Sequence, residues 1–260
     1  MDTVISKKKP EKNLLTQLQK HAGRNATGKI TIRHRGGGSR KMWRMVDFGQ
    51  EYLGVPGKVE ALEYDPNRNA FIALVSYQNG KKGYVLASQE IKQGDEILCA
   101  EKAEVKPGNR MRLSNIPVGT LVHNIELEPM KGGKIVRSAG SWAQVLAQEE
   151  NFVNIQLPSS EIRKVPASCF ASIGMVSNPE HKYQVLGKAG RRRLKGWRPA
   201  VRGTVMNPVD HPHGGGEGRT GRGMKYPKTP WGKHALGVKT RNKKRWTSKF
   251  ILSRRKKKKK

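Results

Sequence analysis

Positive charge is segregated along this 260-residue chain, and the segregation limits which parts of it can fold. Residues 1–50 carry a formal net charge of +9 and residues 181–260 carry +24, whereas residues 51–180 carry −1. Like charges repel one another, so the two cationic segments stay extended until a polyanion neutralises them. We therefore expect a folded, near-neutral middle flanked by two basic arms that bind a polyanion.

Nucleic acid is the polyanion that best fits these arms, because each phosphate neutralised by Lys or Arg releases a condensed counterion. An anionic membrane would attract the same charge, but the C-terminal arm lacks the apolar stripe of an amphipathic membrane-binding helix. No apolar run is long enough to span a bilayer, and the N terminus does not resemble a secretory signal. Cys99 and Cys169 lie far apart, which predicts buried thiols in a reducing compartment. We expect a soluble intracellular protein without membrane contact.

The near-neutral middle shows the pattern of many short β-strands. The clearest is a hairpin, in which residues 71–77 and 84–87 flank the turn-forming pair Asn79-Gly80. Short strands at this spacing predict small closed barrels. The other predicted strands are residues 29–33, 43–48, 59–64, 96–100, 109–113, 121–127, 142–147, 153–157, 161–165 and 171–176.

Helix signals are few. Asn178-Pro179-Glu180 combines an N-cap residue, a proline at the first helical position and an acid in the first turn, which predicts a short helix ending near Gly187. Leu14, Leu15 and Leu18 predict one or two helical turns near the N terminus. Residues 191–260 show no convincing strand pattern. The residues alone therefore predict two compact β domains with long extended arms.

The segment 206–219 contains two histidines spaced as His-x-His and four glycines. Asp210, His211 and His213 could serve a metal-dependent hydrolase, which is the first alternative function. Such a site needs a third and usually a fourth ligand held rigidly, and the nearest other donors, Glu217 and His234, lie in flexible sequence among cations that repel a metal ion. We therefore expect no metal ligand, no catalytic residue and no cofactor, and interpret the segment as a loop that faces RNA.

The second alternative is a basic DNA-binding or chromatin-like protein that uses the same arms. A preference for duplex DNA over folded rRNA would distinguish it. Trp197 and Trp231 are interleaved with cations where no apolar core is at hand. We expect these two indoles to contact RNA or another interface.

Residues 203–219, which read GTVMNPVDHPHGGGEGR, closely resemble the signature of a ribosomal protein family, that of the universal second protein of the large subunit. The likeness continues in the same order along the chain and covers residues 22–255, with a bacterial or organellar pattern. The other matching stretches are residues 32–38, 62–68, 115–119, 122–125, 137–140, 186–190 and 229–232.

The resemblance implies an all-β fold, with an OB-fold barrel at residues 29–114 followed by an SH3-like barrel at residues 115–190. It also implies that a basic N-terminal arm, residues 1–28, and a C-terminal arm, residues 191–260, thread into rRNA. The family is a structural constituent of the large subunit and a primary rRNA binder, needed for subunit association, tRNA binding and peptide-bond formation. Catalysis belongs to the RNA, so the chain is not expected to be an enzyme.

By the same resemblance, the partners are large-subunit, 23S-type rRNA, neighbouring ribosomal proteins and the small subunit through an intersubunit contact. The location is the ribosome, cytoplasmic or organellar. His211 matches the histidine that the family singles out near the peptidyl transferase region. The expected rRNA-binding residues are Arg33, His34, Arg35, Gly36, Gly37, Gly38, Arg40, Lys41, Arg191, Arg192, Arg193, Lys195, Trp197, Arg198, Arg202, Asn207, His211, His213, Gly214, Gly215, Gly216, Arg219, Arg222, Trp231, Arg241, Lys243, Lys244 and Arg245.

The chain departs from the family pattern in three places. Its N-terminal arm is shorter than usual, residues 220–226 differ from the common versions, and the tail Lys256–Lys260 is unusually uniform. The rRNA contacts that these segments make in relatives are therefore not carried over to this chain.

Overall fold

The structure, a computed structural model, describes residues 5–6, 8–242 and 244–255, and most of its regular elements are β-strands. The all-β class expected from the sequence is confirmed. The chain divides into two compact units, which we call unit 1 and unit 2. Unit 1 contains the described residues of Met1–Leu18, Lys41–Val185 and Thr247–Lys260, and unit 2 contains those of Gln19–Arg40 and Leu186–Trp246.

Unit 1 begins with a small antiparallel pair and a four-stranded antiparallel sheet. The pair is formed by β1 (Leu15–Gln17) and β2 (Met42–Arg44). The sheet has the order β5-β4-β3-β6. Its strands are β3 (Gly57–Tyr64), β4 (Phe71–Tyr77), β5 (Lys82–Leu86) and β6 (Glu96–Ile97).

The predicted hairpin between β4 and β5 is confirmed. Its loop comprises residues 78–81, and Gly80 takes a left-handed conformation with φ of 74°, which glycine adopts without a Cβ clash. The backbone N–H of Tyr77 donates to the carbonyl of Lys81 at 3.0 Å. The amide oxygen of Asn79 accepts from the N–H of Lys81 at 3.0 Å. Asn79 thus accepts a backbone N–H through its side chain, and Gly80 adopts a positive φ, which are the roles that these residue types commonly have in turns.

Both faces of this four-stranded sheet are covered by apolar side chains. One face packs Val59, Val75 and Val85 into a core with Ile97 of β6. The opposite face carries Ile72, Leu74 and Tyr84, against which Leu14 from the N-terminal segment is packed. A strand buried on both faces loses the alternating pattern of a half-exposed strand, and β4 is accordingly an almost continuous apolar run.

A second, seven-stranded sheet completes unit 1, in the order β13-β11-β10-β9-β8-β12-β7. It encloses its own core, which includes Met111, Val122, Val145, Ile155 and Ala171. Two curled sheets with separate cores are consistent with the expected OB-fold and SH3-like barrels. The strands are β7 (Arg110–Arg112), β8 (Leu121–His123), β9 (Ala143–Gln148), β10 (Phe152–Gln156), β11 (Ile162–Pro166), β12 (Phe170–Ile173) and β13 (Ile251–Ser253).

Two predicted strands near the N terminus were wrong or too long. Residues 29–33 form no strand; Ile30 only bridges Arg24, and the chain then turns at His34, which has φ of 59°. The strand predicted at residues 43–48 is confined to β2. It ends early because the Asp47 carboxylate accepts the backbone N–H groups of the three residues 49–51, at 2.7–2.9 Å, and so turns the chain.

The helix predicted after Asn178 is a 3₁₀ helix, Pro179–Tyr183. Asn178 does not cap it, because its side-chain amide donates to the carbonyl of Asn69 at 2.7 Å. The near-terminal leucines form a 3₁₀ turn, Lys12–Leu14, followed by β1. Helix α1 (Ala189–Leu194) and strand β13 were not predicted. Within the described part of the chain, no helix is both long and apolar enough to cross a membrane.

A buried ion pair lies between β7 and the segment after β8. The Nη2 atom of Arg110 lies 2.8 Å from Oε1 of Glu126, and both side chains are shielded from water. Arg110 also donates through Nη1 to the carbonyl of Asn124 at 2.7 Å, and Glu126 Oε2 accepts from the N–H of Phe170 at 3.1 Å. The pair therefore ties together β7, β12 and the chain leaving β8.

We expect Arg110→Met to destabilise the full-length protein by about 3–5 kcal/mol, because Glu126 is left charged and buried without its partner. Adding Glu126→Gln should recover a large part of this loss, since the amide removes the charge and keeps an acceptor for Phe170. Urea unfolding of the two single variants and the double variant measures the coupling. Additive losses would show that the two residues act independently.

His123 supplies a pH dependence to the stability of unit 1. Its ring is fully buried, and Nδ1 lies 3.0 Å from the carbonyl oxygen of Gly174, to which it donates. Burial lowers the pKa of His123 to about 4. The folded state therefore keeps the ring neutral at pH values where the unfolded chain already binds a proton.

We expect the contribution of His123 to stability to be complete above pH 6.5 and to be lost as the pH falls from 6.5 towards 4. The loss should approach about 1.4 kcal/mol per pH unit within that window. His123→Asn keeps an N–H donor near the Nδ1 position and does not titrate, so its unfolding free energy should depend less on pH. Identical pH profiles for the two proteins in urea unfolding would contradict this assignment.

Candidate nucleic-acid interface

Unit 2 collects most of the positive charge of the chain. Its two segments contain 23 Lys and Arg residues against two acids, Asp210 and Glu217, a formal net charge of +21. Setting Arg241 aside, the described cations of unit 2 form no ion pair with a carboxylate, whereas unit 1 contains several such pairs. Unit 2 therefore presents charge that the protein itself does not neutralise.

The cations predicted to bind rRNA lie at the surface of unit 2. Arg191, Arg192 and Arg193 are consecutive exposed residues of α1, a helix with no buried residue. Lys41 differs from the other predicted cations because it belongs to unit 1. Its side chain is half-buried and donates to the carbonyl of Pro66 at 3.4 Å. Lys243 and the tail Lys256–Lys260 lie outside the described residues. The remaining predicted cations, all exposed, are Arg33, Arg35, Arg40, Lys195, Arg198, Arg202, Arg219, Arg222, Arg241, Lys244 and Arg245.

Further cations of unit 2 were missed by the residue-level prediction. Lys20 donates from Nζ to the carbonyl of Gly38 at 2.9 Å, which places it at the edge of the Gly-rich segment. The distribution of charge along the sequence could have identified these residues, because it includes every cation of the basic segments, whether or not the cation belongs to a motif. The exposed ones are Lys20, Arg24, Lys29, Lys188, Lys225, Lys233 and Lys239.

The Gly-rich segment near the N terminus pairs with the chain that follows α1. The N–H of Gly36 donates to the carbonyl of Gly196 at 3.1 Å, and the N–H of Arg198 donates to the carbonyl of His34 at 3.0 Å. One step further, the N–H of Ser39 donates to the carbonyl of Leu194 at 2.9 Å. Two segments that are about 160 positions apart in the sequence are thus joined through backbone groups, which carry no net charge.

Glycine is required where these two segments approach most closely. A Cβ atom on Gly38 would lie 3.0 Å from both the Cα and the N of Gly196, and Gly38 has φ of 84°. By contrast, a Cβ on Gly37 would meet open space. Gly38 of this glycine run therefore serves contact within the protein, whereas no neighbouring atom restricts a side chain at position 37.

The loop that contains the two histidines is held by its own backbone and by the imidazoles. The N–H of Gly214 donates to the carbonyl of His211 at 2.8 Å, and the N–H of Gly215 donates to the carbonyl of Met206 at 3.1 Å. The N–H of His213 donates to Nδ1 of His211 at 3.0 Å. Nε2 of His213 accepts from the N–H of Lys228 at 3.0 Å. Each imidazole thus acts as an acceptor for a backbone amide.

His211 is the most buried residue of this loop, with 7 % of its surface exposed. Its ring lies against Gly203, where a Cβ atom would come within 2.5 Å of ring atoms. Gly214 is similarly confined, since its Cβ would lie 2.4 Å from the carbonyl oxygen of Asn207. The signature glycines therefore provide space for His211 and for a tight turn of the backbone.

The environment of His213 favours its neutral form. Partial desolvation, then the neighbouring His211 and the positive charges of Arg222 and Lys228, lower the pKa of His213 below its usual value. A neutral ring is what the bond from Lys228 requires, because Nε2 must carry a free electron pair to accept it. Among the residues that the structure describes, no three His, Cys, Asp or Glu side chains come together in a way that could hold a metal ion.

Trp197 and Trp231 are both in unit 2, and each is covered on its ring by an arginine of the N-terminal segment. Arg35 lies 4.4 Å from the ring centroid of Trp197, and Arg33 lies 5.4 Å from that of Trp231. Both indoles remain substantially exposed. The structure thus brings together the two basic segments, the two indoles and the histidine loop in one compact unit.

Comparison with known proteins identifies the family. Residues 11–99 match the family described as Ribosomal Proteins L2, RNA binding N-terminal domain, and residues 106–232 match Ribosomal Proteins L2, C-terminal domain. The chain is also 53 % identical over 251 residues to the large ribosomal subunit protein uL2 of Phenylobacterium zucineum (strain HLK1), covering 96 % of this chain and 90 % of that protein. The chain therefore belongs to the ribosomal protein L2 family, whose members are structural, non-enzymatic components of the ribosome.

Proposed function

We propose that this protein binds 23S-type rRNA in the large ribosomal subunit and holds it in place through unit 2. The observation that carries the proposal is the net charge of +21 in a unit whose described cations, Arg241 aside, have no carboxylate partner. Phosphate neutralisation with counterion release supplies the binding free energy. Because the chain belongs to the ribosomal protein L2 family, we prefer this function to the two alternatives, a metal-dependent hydrolase and a DNA-binding protein.

The wider roles that we propose follow from this binding. By holding rRNA, the protein supports tRNA binding, peptide-bond formation and association with the small subunit, which it contacts directly; it performs no chemistry itself. Its other partners are neighbouring ribosomal proteins, and its location is the ribosome, cytoplasmic in a bacterium. Exposed arginines and lysines contact phosphates and set the register of the protein on the RNA.

Within unit 2 we assign different tasks to the cations and to the histidine loop. The cations provide affinity, while the loop provides shape, because His211 is buried and holds the N–H of His213 instead of facing water. A loop with a fixed backbone presents its open N–H groups in one arrangement, which lowers the entropy cost of binding folded RNA. His211 is accordingly a positioning residue of the interface.

Binding to 23S-type rRNA should depend steeply on salt. If on the order of ten cations meet phosphates, the slope of log K against log salt should be roughly −7 to −9. Replacing Arg191, Arg192 and Arg193 together by glutamine should reduce its magnitude by about 2. Filter binding or fluorescence anisotropy across salt concentrations measures both slopes.

The matched control removes the same charge from unit 1, by replacing the exposed residues Lys58, Lys92 and Lys102 with glutamine. Its slope should stay within about 0.5 of the wild-type value, since we place no phosphate contact there. A shallow slope in the unmodified protein, or equal slopes in both triple variants, would contradict binding through unit 2.

We expect His211→Ala protein to enter large subunits but to yield ribosomes with impaired translation. The local loss should be about 1–3 kcal/mol, which is too small to prevent incorporation of a protein with many phosphate contacts. Gly203→Ala should have the same effect, because its Cβ would push against the His211 ring. His213→Ala should be milder, and added zinc should change none of these results.

Sedimentation of subunits measures incorporation in these variants, and peptide synthesis by fully substituted ribosomes measures function. Normal translation by both His211→Ala and Gly203→Ala ribosomes would contradict a positioning role for the loop. It would leave the loop as an electrostatic anchor only.

A further inference from the structure

Two of the three indoles of unit 2, those of Trp197 and Trp231, are exposed to different degrees but share one arrangement. Trp197 has 41 % and Trp231 has 73 % of its surface exposed, and each carries an arginine over its ring. The arginines, Arg33 and Arg35, come from a single turn of the N-terminal segment. The turn therefore contributes one arginine to each of the two Arg–Trp pairs.

Backbone hydrogen bonds hold Trp197 in place. Trp197 forms an isolated antiparallel β-bridge with Arg35. The N–H of the next residue, Arg198, donates to the carbonyl of His34. The preceding carbonyl, that of Gly196, accepts from Gly36. Because the bonds lie on both sides of Trp197 in the sequence, the position of its indole is determined by the pairing of the two segments.

Trp231 lies at the tip of a short hairpin-like turn. Lys228 bridges His234, and the N–H of Thr229 donates to the carbonyl of Lys233 at 2.7 Å. The N–H of Gly232 closes the turn on the carbonyl of Thr229 at 2.9 Å. The tip holds the indole out from the backbone, where most of its surface meets solvent.

Exposed indoles in a unit with this charge need an explanation. Large aromatic side chains are normally buried because their apolar surface is costly to expose to water. Among the described residues, the hydrophobic core clusters are made of unit 1 residues, and within unit 2 each of the two rings has an arginine against it. An aromatic face next to arginines fits a flat, electron-rich ligand that is attached to phosphate.

We propose that Trp197 and Trp231, each backed by its arginine, form a platform on which two unpaired RNA bases stack. The proposal rests on the rRNA binding proposed above and adds the class of RNA that this surface recognises. Bases within a duplex already stack on their neighbours, and an A-form helix presents its backbone and its minor groove to a protein. Only an unpaired loop, bulge or strand end can offer a free base face to an indole.

A purely internal role for the two pairs would have a different consequence. If Arg33 and Arg35 only fasten the N-terminal segment to the C-terminal arm, loss of the indoles should loosen unit 2. Such loosening would weaken the binding of duplex and unpaired RNA alike. The platform, in contrast, predicts a selective loss for unpaired RNA.

The test uses the full-length protein with two probes of equal phosphate number. One is an unstructured oligoribonucleotide of about 24 nucleotides, and the other is a blunt-ended RNA duplex of about 12 base pairs, which has no unpaired loop or overhang. Trp197→Leu and Trp231→Leu, singly and together, remove stacking but keep apolar bulk; the corresponding phenylalanine variants keep an aromatic face. Trp142→Leu is the matched control, because Trp142 is 40 % exposed but lies in unit 1, within the near-neutral residues 51–180.

We expect each leucine variant to bind the unstructured probe about tenfold more weakly, and the double variant about a hundredfold more weakly. Affinity for the duplex should remain within about twofold of wild type, and the salt slope for both probes should remain within about 0.5 of wild type. The phenylalanine variants should retain most of the affinity, and Trp142→Leu should not differ from the unmodified protein.

Equal weakening on both probes, or no weakening on either, would overturn the platform. A steep salt slope in the same experiments would then show that the proposed rRNA binding survives without it. A shallow slope in the unmodified protein would instead count against the proposed function itself, so the two failures are distinguishable.

Discussion

The uncompensated charge of unit 2 is the constraint on which the rest of the structure depends. With 23 cations against two acids, this unit cannot be held together by ion pairs among its own residues. The contacts that do hold it are uncharged: backbone bonds of Gly36, Arg198 and Ser39, and the imidazole acceptors of the histidine loop. Two Arg–Trp contacts add attraction without neutralising a cation. The cationic charge is thereby left available for phosphates.

Unit 1, in contrast, neutralises part of its charge through ion pairs among its own residues. Between residues 51 and 180 acids and bases nearly balance, and several of them form pairs, as in Arg110 with Glu126 or Lys82 with Glu60. Apolar cores on both faces of the first sheet and inside the second provide most of its cohesion. Strand β13, which follows unit 2 in the sequence, pairs with β11 and belongs to unit 1. The basic segment 186–246 is consequently tethered at both ends to elements of unit 1.

Local signals in the sequence were sufficient for much of the fold of unit 1. The hairpin around Gly80 and strands such as β10 and β11 appear within one or two residues of their predicted positions, because alternation and turn residues are local properties. The charge map likewise separated the near-neutral middle of the chain from the basic segments, most of whose residues form unit 2. Strand β13 was missed because three residues flanked by cations are too few to show the alternation of apolar and polar residues that indicates a strand. It is a strand only because it pairs with β11. The pairing of Gly36 with Gly196 is equally non-local.

Glycine shows most clearly why the candidate site was only partly predictable. A glycine-rich basic sequence indicates that a backbone approaches something closely, but it does not say what is approached. Here Gly38 approaches Gly196, Gly203 makes room for His211, and Gly214 fits against Asn207, so the close neighbour is the protein itself. These contacts build a rigid scaffold from groups without charge. Because the scaffold uses so little charge, the arginines and lysines around it can act on RNA without weakening the unit that positions them.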